Sequence, residues 1–440
     1  MQAEGRQTGG TNEREESAGK ETKAGQEEAK EAKDRGIRDM AVLILAAVLG
    51  ILVGAVTGAL DALFGRVLLA VTACRMEYGT ILIPLLALAG VLSVYLYRTF
   101  GEKCARGMGL VFEVGFGTEK EIPLRLIPLV TGSTWLTHLF GGSAGREGVA
   151  VQIGAAVSHG MFGRLPFKNS SRIFLVTGMA AGFAGLFRTP LAAVLFAAEV
   201  LWAGRLEYRA LVPALTASFT ASAVSGALGL EKFVFPVESL NGGGLSFSTV
   251  FLLLGAGLIF GTVGGAFAWT LGRLKKGLGE AVKNPVVRIA VCSAGLSILL
   301  LLFYGGRYCG LGTNLIEGSL SGEDVKVFDW ILKFFFTAVT IAAGFQGGEV
   351  TPLFSIGASL GAALSLILPL PLPLLAALGY AAVFGGATNT FLAPVFIGAE
   401  VFGCELLPCF FIVCAAARLC NGGQSIYSLQ RREQWEQQEK

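Results

Sequence analysis

Long stretches without a charged side chain constrain this chain more than any other feature. Residues 40–60, 78–97, 126–145, 210–230 and 289–306 contain no Asp, Glu, Lys or Arg. Each is long enough, or nearly so, for a membrane-spanning helix of about 20 residues. The free runs at 239–272 and 350–399 are longer and must hold more than one segment. Those at 148–163, 173–187, 189–198, 334–348 and 406–417 are too short to cross as ordinary helices. Short apolar helices beside Gly or Pro are tolerated at membrane depth where they are buried in protein or line a cavity. Uneven lengths of this kind point to a transporter or channel rather than an anchored bundle.

Charge is unevenly placed. Of the first 39 residues 18 are charged, against 43 of the 390 from 41 to 430. Soluble domains carry about 25% charged residues, and this chain carries 15% with 53% hydrophobic. A soluble enzyme, a nucleic-acid binder and a disordered scaffold are excluded for the body. The expected class is an all-α polytopic membrane protein. Residues 1–39 lack the apolar core of a signal peptide and read as a polar, disordered cytoplasmic tail. A second polar tail is expected over 429–440. Basic clusters at Arg98–Arg106, Arg164–Arg172, Arg205–Arg209, Arg273–Arg288 and Arg431–Arg432 mark candidate cytoplasmic loops.

The chain repeats itself. Residues 178–200 align with 379–401 without a gap, and 12 of 23 positions are identical, including Phe183/Phe384, Thr189/Thr390 and Glu199/Glu400. A second match, 141–157 with 344–360, keeps the same order and shares Gly141/Gly344, Gly145/Gly348 and an Ile-Gly-Ala. Two homologous membrane halves are expected, over 40–230 and 240–428.

Ionisable groups in apolar runs are expensive, so each is a functional candidate. Glu147 follows Gly141-Gly142-Ser143-Ala144-Gly145-Arg146 and precedes Gly148 and an apolar helix. This places a carboxylate beside helix-terminal N–H groups, which attract anions. Such a carboxylate can occupy an anion site and leave it on protonation. The alternative is a helix-terminal Glu paired with Arg146. Glu349 occupies the corresponding turn of the second half, Gly347-Gly348-Glu349-Val350-Thr351-Pro352. There Pro352 suits a first helical turn, Thr351 offers a hydroxyl, and Glu349 alternatively serves as a cap. Glu199 and Glu400 read as structural groups bonding loop amides. Arg188, where the second half has Asn389, is a candidate to pair with a carboxylate.

His138 reads as a hydrogen-bonded core group, and Tyr427 by position as an interfacial aromatic. Met108 and Phe112 read as packing residues on composition. Two His and the absence of C-x-x-C argue against a metal site, and Cys404, Cys409, Cys414 and Cys420, in or beside an apolar run, read as reduced packing residues. An intramembrane enzyme is the reading from another class, and His138 and His159 offer little for it.

These motifs resemble the chloride channel (CLC) superfamily of anion channels and anion/proton antiporters, over about 40–430. Gly145-Arg146-Glu147-Gly148 is similar to its gating-glutamate motif, and residues 347–352 take the place of its second loop. Gly-Arg-Glu-Gly, the Glu-Val-Thr at 349–351 and the lack of a Gly-Ser-Gly-Ile-Pro segment resemble the fluoride/proton antiporter branch. The resemblance implies a CLC-type inverted repeat with broken and re-entrant helices, a homodimer in the plasma (inner) membrane bilayer with cytoplasmic termini, and no cofactor. It implies that Glu147 gates and couples protons, that Thr351 and Tyr427 bind the anion, that Glu349 is a second central carboxylate, and that Met108 and Phe112 line the pore. The 13 residues after Tyr427 leave no room for regulatory domains, as in bacterial members. Fluoride export driven by protons is the expected function. Chloride/proton exchange or a chloride channel of the same superfamily is the alternative.

Overall fold

The computed structural model describes residues 9–167, 169–238 and 245–432, with side chains from residue 39 onward. It is almost entirely helical. The first helix, α1 (Gly9–Leu82), runs from the polar segment straight into the first apolar run. From Gly9 on, the segment expected as a disordered tail is therefore helical backbone. Its Glu, Lys, Gln and Ala residues are good helix formers.

Two expected spans are broken instead. The run at 78–97 is interrupted by a 3-10 turn at Ile83–Leu85 that contains Pro84, and α2 (Leu86–Phe100) starts beyond it. A proline ring removes an N–H and clashes with the preceding turn. The run at 126–145 gives only α4 (Leu126–Leu139), because Gly141, with φ of 89°, takes the backbone out of the helix. Between them lies the short α3 (Met108–Gly115).

The first set of matched segments forms α5 (Glu147–Phe162), α6 (Ser170–Phe187) and α7 (Pro190–Glu199). A short strand β1 (Trp202–Ala203) and α8 (Leu211–Ala227) follow. The chain then runs extended, with Phe235 and Val237 N–H groups donating to Val401 and Phe402 carbonyls at 3.0 Å each. The expected start of the second half at 240 lies outside the described residues.

That half contributes α9 (Phe247–Ala281), α10 (Pro285–Leu302), α11 (Thr313–Ser321) and α12 (Asp329–Ala343). The second set of matched segments is α13 (Val350–Leu364), α14 (Leu372–Thr388) and α15 (Leu392–Phe402). Last come α16 (Leu407–Cys420) and the strand β2 (Arg431–Arg432), which pairs in parallel with β1. The expected polar tail is thus docked as far as Arg432. Residues 433–440 lie outside the described residues.

Matched segments adopt matched structure. Helices α6 and α14 both end on a left-handed residue, Arg188 at φ 59° and its counterpart Asn389 at φ 56°. Arg188 does not meet a carboxylate; its guanidinium donates to the Leu230 carbonyl at 3.1 Å. Helices α5 and α6 touch backbone to backbone, and a Cβ on Gly154 would lie 2.0 Å from the Gly178 carbonyl oxygen. The counterparts Gly357 and Gly379 repeat this in α13 and α14, at 2.1 Å. Small residues at such crossings let membrane helices approach closely enough for dispersion to hold them. Five helical stretches are long and apolar enough to cross a membrane, and α7, α13, α14 and α15 are shorter apolar helices. All eight cysteines are free.

Candidate functional site

The two glycine-rich turns meet each other. Gly145 donates its N–H to the Gly348 carbonyl at 2.5 Å, and Gly348 donates back to Gly145 at 2.8 Å. This is an antiparallel bridge between counterpart residues. A residue that pairs antiparallel with its own counterpart lies on a local two-fold relation. Only glycine fits there, because a Cβ on Gly145 would meet Pro352 Cδ at 2.8 Å and the Gly348 oxygen at 2.9 Å. Gly347 stands at φ 156°, against Ala144. The bridge sets the starts of α5 and α13 side by side, with Gly148 next to Gly348.

Glu147, fully buried at the first position of α5, reaches across to α13. Its Oε2 accepts from the Thr351 hydroxyl, from the Thr351 N–H at 3.2 Å and from the Arg146 N–H at 3.2 Å. The carboxylate therefore sits where α13 presents its unpaired N–H groups and the positive end of its dipole. Its Oε1 has no hydrogen-bond partner among the described residues, and Arg146 Nε stands 3.8 Å away. The expected Arg146–Glu147 pair is present as this looser contact.

The turn that carries Glu147 is pinned along its length. Gly142 N–H donates to Thr137 O at 2.8 Å, and Gly142 O accepts from Gly310 N–H at 3.0 Å. Ser143 N–H donates to Thr340 Oγ1 at 3.3 Å. Ser143 Oγ lies 2.9 Å from Thr337 Oγ1 and accepts from Lys333 Nζ at 2.9 Å. His138 is the core histidine expected, its ring bridging the Thr134 and Ala144 carbonyls at 2.9 and 3.0 Å.

The remaining candidates gather round a cavity of about 610 Å³ that reaches toward the turns, lined by Met108, Phe112, Gln152, Lys275, Glu349 and Tyr427 among others. Met108 opens α3, after Gly107 at φ 53°. Phe112 stacks on the Tyr427 ring with centroids 5.3 Å apart. Glu349 takes the N-cap position of α13, but its carboxylate makes no capping hydrogen bond among the described residues and instead forms an ion pair with Lys275 at 3.6 Å. In the match between halves Glu349 stands opposite Arg146, and Glu147 opposite Val350, so the two carboxylates are not counterparts. The structure thus joins Arg146, Glu147 and Thr351 in one cluster and places Met108, Phe112, Glu349 and Tyr427 at the cavity.

Sequence reasoning missed Gln152, Lys333 and Asp61. Gln152 is a lone amide in an apolar helix. Lys333 stands one residue before the run at 334–348, and Asp61 one residue after the run at 40–60. Lys333 is fully buried and donates to Ser143, Tyr308 O at 3.2 Å and Gly310 O at 2.7 Å. Asp61 lies against Gly185, and neither oxygen has a partner among the described residues.

This arrangement of matched half-helices has counterparts. Residues 89–422 match the voltage gated chloride channel family. The chain belongs to that family. A chloride/fluoride channel protein of Pseudomonas syringae pv. tomato is 36% identical over 391 residues, covering 86% of this chain and 85% of that one. The crystal structure of a CLC-type fluoride/proton antiporter superposes with a TM-score of 0.87 at 48% identity, covering 89% of this chain and 98% of the other. A slow cyanobacterial Cl⁻/H⁺ antiporter shares the fold, with a TM-score of 0.73 at 20% identity over 87% and 96%. The expected superfamily and its all-helical membrane fold hold, and the chain is a membrane-embedded CLC protein of a transporter family.

Proposed function

We propose that this CLC protein is a fluoride/proton antiporter that exports fluoride from the cytoplasm in exchange for protons. The observation that carries the reading is the Glu147 carboxylate held by the Thr351 hydroxyl and amide at the head of α13. A carboxylate oxygen there takes the donors that a small anion needs. Fluoride is strongly hydrated, and hydroxyl and amide donors replace its water with charge-assisted hydrogen bonds. Protonated Glu147 no longer competes for those donors, so proton binding and anion binding are alternatives at one place. Thr351 is the anion-site donor and Glu147 the gate and proton carrier. Gly145, Arg146 and Gly148 with Gly347, Gly348 and Pro352 shape the two loops.

Met108, Phe112 and Tyr427 line the approach, with the Tyr427 phenol as a second donor and Glu349 as the carboxylate of the inner mouth. The 48% identical structure is that of a fluoride/proton antiporter, which supports the choice of ion. The same reading makes the protein a homodimer in the lipid bilayer of the plasma membrane, with membrane halves at 40–230 and 240–428 and both termini cytoplasmic. The relative from Pseudomonas is named a channel, which favours passive fluoride flow as the second reading.

Fluoride efflux from proteoliposomes, recorded with a fluoride electrode and a pH probe together, tests this. Proton uptake linked to fluoride efflux is expected, and Glu147→Gln should abolish the link. Fluoride flow without proton movement makes the protein a channel. Equal chloride flux rejects the fluoride assignment.

A further inference from the structure

Gln152 is 5% exposed and lines the cavity between Met108 and the start of α5. Its Nε2 donates to the Gly148 carbonyl one turn earlier, at 3.1 Å. That bond fixes the amide, since the reverse orientation would set two acceptor oxygens against each other. The Oε1 is therefore the free end. It lies against Gly107, where an added Cβ would approach it to 3.4 Å, and it has no partner among the described residues. A buried amide oxygen without a donor is costly, and such atoms mark ordered water or a functional contact.

The sign of this atom matters. The anion site at Thr351 presents donors. Gln152 presents an acceptor, which repels fluoride and attracts an O–H. The charged groups around the same cavity are Glu349 with Lys275, and Arg98, Glu102, Arg106 and Arg288. None of them is an uncharged acceptor. Gln152 also sits on the helix that begins with Glu147, five residues on, or about 7.5 Å along the axis.

We propose that Gln152 Oε1 is a positioning group for proton coupling. It accepts a hydrogen bond from the water that carries a proton from the cavity toward Glu147. The amide takes no proton itself; the proton stays on the water and passes to the Glu147 carboxylate. This rests on the antiport reading above.

The test is paired fluoride and proton flux in proteoliposomes for the wild-type protein, Gln152→Met and Gln152→Glu. Methionine keeps length and removes the acceptor. Its proton flux should fall at least threefold more than its fluoride flux, because the donors at Thr351 are untouched. Glutamate restores an acceptor and should return the proton-to-fluoride ratio to within twofold of the wild type. An unchanged ratio in Gln152→Met overturns the proposal, even if both fluxes slow. Should Gln152→Met fail to reconstitute, a ratio lost in Gln152→Glu overturns it as well. Absence of proton flux in the wild type would instead reject antiport itself.

Discussion

Glu199 and Glu400 cap each other's helices. Glu199, the last residue of α7, accepts from the N–H groups of Phe391, Leu392 and Ala393 at 3.1, 3.2 and 2.9 Å, at the start of α15. Glu400, in α15, accepts from Leu191 and Ala192 at 3.4 and 2.9 Å, at the start of α7. Exchange between counterparts is what a two-fold relation requires. It also satisfies helix-terminal donors that have no partner within their own helix.

Removing either cap should destabilise the fold. Hydrogen bonds to a charged acceptor contribute about 1.5–3 kcal/mol. Glu199→Ala strands three amides and Glu400→Ala two, so the first should cost more. Thermal unfolding in detergent reads this directly. A larger loss in Glu400→Ala would contradict the structural account.

Thr351→Val keeps the shape of the side chain and deletes the hydroxyl that holds Glu147 Oε2. A lost charge-assisted hydrogen bond of about 1.5–3 kcal/mol corresponds to roughly a 10- to 100-fold rise in the KM for fluoride. Thr351→Ser should stay within a few-fold of wild type. Initial efflux rates against fluoride concentration decide it, and an unchanged KM in Thr351→Val removes the hydroxyl from the anion site.

Ser143 and Lys333 should behave as one unit. The lysine ammonium has three donors, and the structure gives it three acceptors, one of them Ser143 Oγ. Ser143→Ala leaves a buried cation one bond short, and Lys333→Met leaves its acceptors bare. A double-mutant cycle on unfolding free energy should show a coupling of about 1 kcal/mol or more. Effects that add to within about 0.5 kcal/mol would mean that the contact carries no energy.

One cluster outside the spans gives a pH dependence. Arg307, then Lys326, holds the exposed Asp324 carboxyl below its usual range. A depressed carboxyl stabilises the fold above its unfolded value of about 3.9, and this is lost as pH falls through the lower folded value. The unfolding midpoint of wild type should thus exceed that of Asp324→Asn at pH 7, and the difference should close as pH falls through the lowered folded value. A constant difference at every pH would refute it.

Much of this was legible because the chemistry is local. Glu147 announced itself as a carboxylate between glycines at the head of an apolar helix, and the repeat predicted matching elements that the structure shows. Glu199 and Glu400 do bind amides, as their sequence setting suggests, but the amides start each other's helices rather than lie in loops. What stayed hidden depends on contacts distant in sequence. The bond between Glu147 and Thr351 spans 204 positions, and the pairing of Trp202 with Arg431 links the segment after α16 to the strand that follows α7. Lys333 and Asp61 sit just outside charge-free runs, so a scan for those runs passes over them. Gln152 carries no charge, so a search for buried ions does not find it.

The bridge between Gly145 and Gly348 also limits how the molecule moves. Many carriers expose a site alternately by rocking one half against the other. Here such a motion would have to break two backbone hydrogen bonds at the site itself and the crossed caps beside them. The halves are stitched together at the point where rocking would have to part them. An exchange cycle that keeps this bridge intact would move the Glu147 side chain and its proton rather than one matched segment against the other.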